Sequence, residues 1–561
     1  MKLPEQPRLS IDHQRYYNYQ EYSGLLHDLV KQYPQLIRLE SLGKSHQDRD
    51  IWQVTLTDSA TGPDKDKPAY YIDAQIHAEE HATSSTALYA INYLLERFGQ
   101  DEEVTRLMQR MAFYIVPRIN PDGAEISLGT PHRWCGNGRY ELGQDEVTKG
   151  LYQWDVDDDG TILMMRLMDP NGEWKISSVD ERVMVQREPH EEGGNYYRLY
   201  PEGLIPDFDG VEPDIESPRD GNLNRQFPAN WSPHEYGAGE YPGSEPEAKA
   251  MIDFILAHKN ICGMNSYHTH GGVILRPSAI KYDAEMSTPD ITLFKDLGAV
   301  GTEITGYPVI SIFEDFTPDK TKARHGSLTD WAYEQMGIPI FGTELWDIER
   351  EAGLEKTHWY GIRPRSEDEQ IQILQWVEQN VGESGFRPWT PFVHPQLGEV
   401  EIGGMIDVWT FRNPPGALLE EMCFKNVLFC LAHAGASPRL ELSDVQARAL
   451  ADGVYRVSAV VRNAGYLPTN LTDVAISEGF AQPVTVALEA ESGEIQGQTT
   501  YILGHLAGRN GRNSAWSPWG PTWQRTGKPA EWTVTAPSGS TVWVTASSEK
   551  GGTVRQQIKL G

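Results

Sequence analysis

A histidine and a glutamate stand three positions apart, His77 and Glu80, inside the segment Gln75-Ile76-His77-Ala78-Glu79-Glu80-His81. An imidazole and a carboxylate are the ligand types of a hydrolytic zinc site, which takes about three protein ligands and leaves one position open for water. The spacing alone is not specific, since a chain with 16 histidines should contain a His-x-x-Glu about once by chance. The same residues also fit a second pattern, His-x-x-Glu-His, in which His77 and His81 would bind the metal from one helical face with Glu80 as base. That alternative needs His77 inside a helix, whereas AYYIDAQIH reads as strand up to that histidine. A separate run, Asp155-Val156-Asp157-Asp158-Asp159-Gly160, has the alternate carboxylates and the glycine of the first half of a calcium loop. Its twelfth position is Arg166 instead of a bidentate Glu, so a hydrogen-bonded acidic turn is expected there rather than Ca2+.

These side chains need a scaffold, and the flanking patterns supply one. YSGLLHDLVKQYP has helical spacing, DIWQVTLTD alternates as a strand, AYYIDAQIH reads as a buried strand and HATSSTALYAINYLLERFG as a helix. MAFYIVPRINPDG is a further strand ending in a turn-former. Alternation of this kind predicts an α/β domain with helices on both faces of a mixed sheet. From about 136 to 218 the rhythm breaks into an Asp-, Gly- and Pro-rich stretch with short alternating patches such as TILMMRLMD, which reads as a large insertion. Strands and helices resume with ICGMNSYHTHGGVILRP, LTDWAYEQMG, IPIFGTELWD, DEQIQILQWVEQNV and ALLEEMCFKNVLFCLAHAG. Beyond about Pro438, GVYRVSAVVRNAG, QPVTVALEA, AEWTVTAP and STVWVTASS alternate between turns as a β-sandwich of about one hundred residues does. The reading is therefore a domain over 1–436 and a sandwich over 437–561.

The whole chain of 561 residues is long enough for two or more cores. Its formal charge of −31 excludes phosphate-backbone and anionic-membrane binding, which depend on lysine and arginine displacing counterions. No apolar run approaches a bilayer span, and the start MKLPEQPRLSIDHQ lacks an apolar signal core, so the expectation from the sequence as it stands is a cytoplasmic protein. The four cysteines, Cys135, Cys262, Cys423 and Cys430, have no paired metal-ligand spacing and read as small core residues, not as a disulfide framework.

Beyond the His77 segment, RINPDG (Arg118 to Gly123), GNLNRQFPANW (Gly221 to Trp231), GSEPEAKAM (Gly243 to Met251), SYHTHGGVILRP (Ser266 to Pro277), GSLTDWAYEQMG (Gly326 to Gly337) and FGTELWD (Phe341 to Asp347) follow in one order. That series closely resembles the zinc carboxypeptidase family, over roughly Tyr17 to Trp376 with an insertion in the middle. The resemblance implies the family's fold, a mixed sheet of the eight-stranded type flanked by helices, and one Zn2+ per chain. It implies His77 and Glu80 as the first two ligands and a histidine of SYHTHGG as the third. His268 precedes the apolar run and Pro277 at the family's interval, which leaves His270 as a neighbour with a hydrogen-bonding role. Glu344 stands where the family has its general base, at the end of the strand IPIFGTE.

An arginine follows the NPDG motif in the family and stabilises the oxyanion of the tetrahedral intermediate. PHRWCGNGR offers Arg133 and Arg139, and the spacing favours Arg133. Asn224 and Arg225 match the family's pair that binds a C-terminal carboxylate, for which a planar guanidinium is suited. One departure is evident: the digestive carboxypeptidases carry a tyrosine shortly before their counterpart of GSLTDW, and TPDKTKARHGSLTDW has none. Lys322, Arg324 and His325 are the polar residues of that loop, and Thr329 stands near the floor of the specificity pocket.

The function implied is hydrolysis of peptide bonds at the C-terminus of peptide substrates. An amidase or deacylase acting on small or cell-wall-like amides is the alternative within the same chemistry. A non-catalytic binding module fits poorly, because ligands and base are all present. The insertion, with aromatic patches such as NYYRLY, is expected to overhang the cleft. In the tail, Trp516, Trp519 and Trp523 lie close together and read as packing rather than as a stacking platform.

Overall fold

The computed structural model describes residues 10–139, 150–206, 208–215, 221–356, 365–510 and 525–561. The first helix, α1 (Tyr19–Gln32), begins with a capping box in which Asn18 and Glu21 satisfy each other's backbone N–H groups. Then come β1 (Ile37–Lys44), β2 (Asp50–Leu56), β3 (Ala69–Asp73), α2 (His81–Arg97), β4 (Ala112–Val116) and α3 (Pro121–Gly129). Of the short strands that follow, four enter a second sheet, β5 (Met164–Met168), β6 (Trp174–Ile176), β7 (Met184–Gln186) and β8 (Tyr197–Pro201). The chain returns through α4 (Pro246–Ala257), β9 (Ile261–Thr269), β10 (Val273–Arg276), α5 (Thr288–Thr305), β11 (Val309–Ser311) and β12 (Ile340–Leu345). Helix α6 (Glu367–Asn380), the hairpin β13 (Phe386–His394) and β14 (Gly398–Met405), and α7 (Gly416–Gly435) complete this part.

The main sheet has eight strands in the order β1-β2-β4-β3-β9-β12-β10-β11. Its centre, β4, β3, β9 and β12, is parallel, and the pairs β2/β4 and β12/β10 are antiparallel. Every residue of β3 and β9 is buried, as parallel strands covered by helices on both faces require. Helix α2 packs on α7, where the Thr86 hydroxyl meets Cys423 Sγ at 3.2 Å. Phe341 of β12 joins Phe294 of α5 and Phe429 of α7 in one aromatic cluster, with ring centroids 5.6 and 5.5 Å apart. The sheet is thus the mixed, helix-flanked architecture expected. Its parallel centre brings several strand ends to one edge, where α/β proteins bind ligands.

A second sheet of six strands, ordered β13-β14-β5-β8-β6-β7, combines the short strands of the 136–218 stretch with the distant hairpin. Its core holds Leu163, Met165, Tyr200, Val400 and Ile402. Strand β13 carries Pro388 and Pro391, which donate no ladder hydrogen bond, and it lies accordingly at the sheet's edge.

The tail forms two four-stranded sheets. One pairs Leu440–Ala451, Val454–Asn463, Gly527–Thr535 and Glu494–Gln496, and the other pairs Thr500–Gly504, Val484–Ala490, Thr541–Ser548 and Gly552–Lys559. All their pairings are antiparallel, and inward residues such as Val457, Val486, Trp532 and Val544 share one core, which makes the tail a β-sandwich. It is tied to the main body by Lys550, whose Nζ donates to Ile261 O at 2.8 Å, and by Thr472, whose hydroxyl donates to Gly337 O at 2.8 Å. Trp516, Trp519 and Trp523 lie outside the described residues. No described helix is long and apolar enough to cross a membrane.

Candidate metal centre and active site

His77 and Glu80 lie on the turn between β3 and α2, and His268 lies near the end of β9. Their ligand-type atoms converge: His77 Nδ1 is 3.0 Å from Glu80 Oε1, His268 Nδ1 is 3.3 Å from Glu80 Oε2, and the two Nδ1 atoms are 3.3 Å apart. Outer hydrogen bonds decide which ring nitrogen of each histidine carries its proton. His77 Nε2 faces Asn222 Oδ1 at 3.2 Å, an oxygen that already accepts the Asn224 N–H, so Nε2 must donate. Ser266 donates its hydroxyl to the buried Asp73 at 2.6 Å, which leaves Ser266 Oγ to accept from His268 Nε2 at 3.3 Å. Both Nδ1 atoms therefore present lone pairs to each other and to a carboxylate.

Three acceptors facing one point with no donor among them, Glu80 and His268 buried and His77 half-buried, make a costly arrangement unless a cation occupies that point. Glu80 Oε2 has no hydrogen-bond donor of its own. Burial alone would raise the Glu80 carboxyl; without an ion at that point, positive charge on the His77 and His268 imidazoles takes its place, outweighs burial and holds the group below the ordinary carboxylate range. The donor set, two imidazole nitrogens and one carboxylate, is that of a zinc site with an open position.

Strand register positions Glu344. In the parallel pair β9/β12, His268 is directly opposite Glu344, so the two side chains project to the same face. Burial raises the Glu344 carboxyl to about 8, with the Glu80 charge adding to that push and His268, Arg324 and Lys356 opposing it. Asp73, opposite Ser266 in the β3/β9 pair, reaches the same face from the neighbouring strand.

The remaining expected residues fall around this cluster. Asn224 accepts the Leu328 N–H at 2.9 Å, which fastens the Asn222–Arg225 turn to the GSLTDW segment. Arg225 donates to Asn224 O at 2.8 Å and lies 3.8 Å from Glu235. Arg133 sits on the rim, 3.8 Å from Glu79 and 3.7 Å from Asp407, with its side chain 45% exposed. Arg139 is turned away and pairs with Glu245. His81 is outside the cluster: it opens α2, with Nδ1 bonded to Gln75 Nε2 at 2.9 Å and Nε2 facing Ser127 Oγ at 3.1 Å. The helix starts after Glu80, which removes the His-x-x-Glu-His reading. His270 lies past the end of β9 with its ring edge-on to Phe411 at 6.5 Å.

In the loop without a tyrosine, Lys322 is exposed, the Arg324 guanidinium lies 4.7 Å over Phe316, and His325 Nδ1 meets Asn230 O at 3.0 Å. Thr329 is buried, with its hydroxyl 3.1 Å from that of Ser327. The carboxylates of Asp155, Asp157 and Asp159 lie within 4.8 Å of one another, yet they accept the N–H groups of Asp159, Gly160 and Thr161. Arg166, at the twelfth position, pairs with Glu401 at 2.8 Å instead.

Asn222, Ser266 and Asp73 were not singled out from sequence. A lone carboxylate inside the apolar strand AYYIDAQ was the available signal for Asp73, because a buried charge in a central strand needs a partner.

Strand ends of a mixed sheet that converge two imidazoles and a carboxylate beside a half-buried glutamate define a zinc-dependent hydrolase of the α/β type. More particularly, the chain belongs to the zinc carboxypeptidase family, whose sequence model, Peptidase_M14, matches residues 22–373. Residues 439–559 match a family described as a domain of unknown function, DUF8731. A zinc carboxypeptidase of Saccharothrix mutabilis subsp. capreolus is 32% identical over 144 residues, covering 25% of this chain and 33% of that protein. Carboxypeptidase A2 of Rattus norvegicus is 25% identical over 351 residues, covering 60% of this chain and 64% of that protein. The chain thus spans less than two thirds of the length of these relatives. Among solved structures, carboxypeptidase A from Helicoverpa armigera aligns at a TM-score of 0.46 and 16% identity, covering 77% of this chain and 76% of that one. A metallo-carboxypeptidase from Pseudomonas aeruginosa in complex with (2-guanidinoethylmercapto)succinic acid aligns at a TM-score of 0.34 and 13% identity, covering 74% and 69%.

Proposed function

We propose that this protein removes C-terminal residues from peptides, with one zinc held by His77, Glu80 and His268. The observation that carries the reading is the convergence of three acceptors beside Glu344, its register partner His268 being one of them. Bound there, zinc supplies the Lewis acidity that makes water a usable nucleophile near neutral pH. Glu344 takes the proton from that water at a carboxylate oxygen and passes it to the leaving amine. Its environment suits both halves of the task, since burial raises its affinity for a proton and the positive charge of a neighbouring cation opposes that rise. Arg133, on the rim beside Glu79, presents a guanidinium to the oxygen on which negative charge develops. Arg225 receives the terminal carboxylate of the substrate on the Asn222 side of His77, with Asn224 beside it.

Incubation with a peptide library and mass analysis of the products tests this directly. Ladders that shorten from the C-terminus are expected, and internal cuts, or cleavage confined to small acyl amides, would overturn it. Arg225→Met should lower kcat/KM on free peptides by about 100-fold or more while changing C-terminally amidated ones little. Equal losses on both would remove the exopeptidase reading and favour an amidase.

A further inference from the structure

A cavity of about 840 Å³ opens between the six-stranded sheet and the main body. That volume is in the range of built ligand pockets, roughly 300–1,000 Å³. Met164 of β5 and Leu199 of β8 form one wall, Ile373 and Leu374 of α6 another, and Trp409 and Phe411 close the inner end.

Four arginines also face it, and their partners decide what the cavity prefers. Arg182 pairs with Asp180 at 2.6 Å, Arg365 with Glu349 at 2.7 Å, Arg387 lies 4.0 Å from Asp159, and Arg133 lies between Glu79 and Asp407. With each guanidinium already beside a carboxylate, the unmatched character of the wall is apolar. An anionic occupant would find no uncompensated positive charge there.

The inner end abuts the metal centre. Arg133 lines the cavity and lies 3.8 Å from the carboxylate of Glu79, the residue before the ligand Glu80. Phe411 lines it too and meets the ring of His270, two residues past the ligand His268. Neither Asn222, which holds His77 Nε2, nor Arg225 lines the cavity. A peptide with its terminal carboxylate at Arg225 and its scissile carbonyl at the metal centre therefore leaves the centre towards Arg133, and hence into this cavity.

We propose that the cavity binds the acyl side of the substrate, a short run of apolar residues preceding the scissile bond. The inference rests on the exopeptidase reading for its direction. It adds a substrate class, peptides with aliphatic or aromatic residues in several positions upstream of the cut. Binding energy gained this far from the reacting bond is available to raise turnover, so longer apolar substrates should be better ones.

Two measurements on the zinc-loaded full chain test it. In the first, acetylated peptides carrying one to five Leu or Phe residues ahead of a common C-terminal residue are compared by kcat/KM. A rise of about tenfold or more with length is expected, lost when the upstream residues become Lys or Glu. Met164→Trp and Leu199→Trp, which fill the cavity from adjacent strands, should each reduce the long-to-short ratio towards one while their melting temperatures stay near wild type. A flat length dependence in the wild type, or a full length dependence kept in both variants, would overturn the proposal.

In the second, the acetylated apolar peptide lacking its C-terminal residue is titrated calorimetrically into wild type and variants. Binding in wild type that weakens in both variants supports the cavity without any hydrolysis, and absence of binding in wild type sinks it. Failure to hydrolyse any peptide, with this binding intact, would count against the exopeptidase reading alone.

Discussion

Two clusters in this molecule are built from the same ingredients and do different things. His77, Glu80 and His268 bring one ligand-type atom each within 4.8 Å of the others, and so do His46, Glu245 and Glu247. In the first, outer bonds from Asn222 and Ser266 consume the ring N–H groups, and only lone pairs face inward. In the second, donors are already inside: Asn137 Nδ2 gives one hydrogen bond to each glutamate at 2.9 Å, Arg139 pairs with Glu245, and His46 Nε2 meets Glu245 at 2.7 Å. Donors thus reach both carboxylates of the second set and leave one oxygen, Glu247 Oε1, without a partner, while backbone donors serve the Asp155–Gly160 turn. Residue type and proximity do not make a metal site; an excess of acceptors over donors does.

The contrast can be attacked from its strongest side first. His268→Ala should drop bound zinc from about one per chain to near none by elemental analysis, whereas His46→Ala should leave the zinc content unchanged. Zinc lost equally in both would erase the distinction.

Next in size is Asp73→Asn, which weakens the support that Ser266 gives His268. Zinc affinity, measured by chelator competition, should fall about 10- to 100-fold. Apo-protein stability should hold, because burial already raises the Asp73 carboxyl to about 7 against the opposing Ser266 bond and His268 charge, and its Oδ2 has no partner.

Asn137→Leu attacks the other cluster by removing donors from two buried carboxylates. It should cost about 1–3 kcal/mol in denaturant unfolding with no change in metal content.

The smallest expected effect is a pH dependence. Burial raises the Glu247 carboxyl to about 7, with the Asp122 charge adding to the push and Asn137 and His46 opposing it, while hydrogen bonds from His46, Asn137 and Arg139 hold Glu245 well below its usual range. Between an unfolded value of about 4.5 and that folded value, the unfolded chain has released a proton that folded Glu247 retains. Stability is therefore fullest below the lower value and is lost as pH rises through the higher one. Glu247→Gln should flatten that part of a melting-temperature profile, and an unchanged slope would assign it to other groups.

Much of the main body was legible because its signals are local. The apolar strands around Asp73 and Met264 and the start of α2 are each written in a dozen residues, and the ordered motifs tie them to a family. What sequence could not provide was register. That His268 stands opposite Glu344, and Asp73 opposite Ser266, is set by pairings between strands far apart in the chain. The donor balance that separates the two clusters depends in turn on Asn222 and Asn137, residues ordinary in type and distant in sequence. The hairpin of β13 and β14 was unread for a similar reason: Pro388 and Pro391 mask a strand, and its partner β5 lies more than two hundred residues upstream.

That hairpin has a practical consequence for protein engineering. Because β14 is sewn to β5, the stretch between 136 and 218 is not a removable ornament. Trimming it to make a smaller enzyme would leave Val400 and Ile402 bare on a two-stranded ribbon ending in proline-bearing β13, a sticky edge ready to recruit a neighbouring molecule. A workable miniature would have to shed residues 386–405 in the same cut and rejoin α6 to α7.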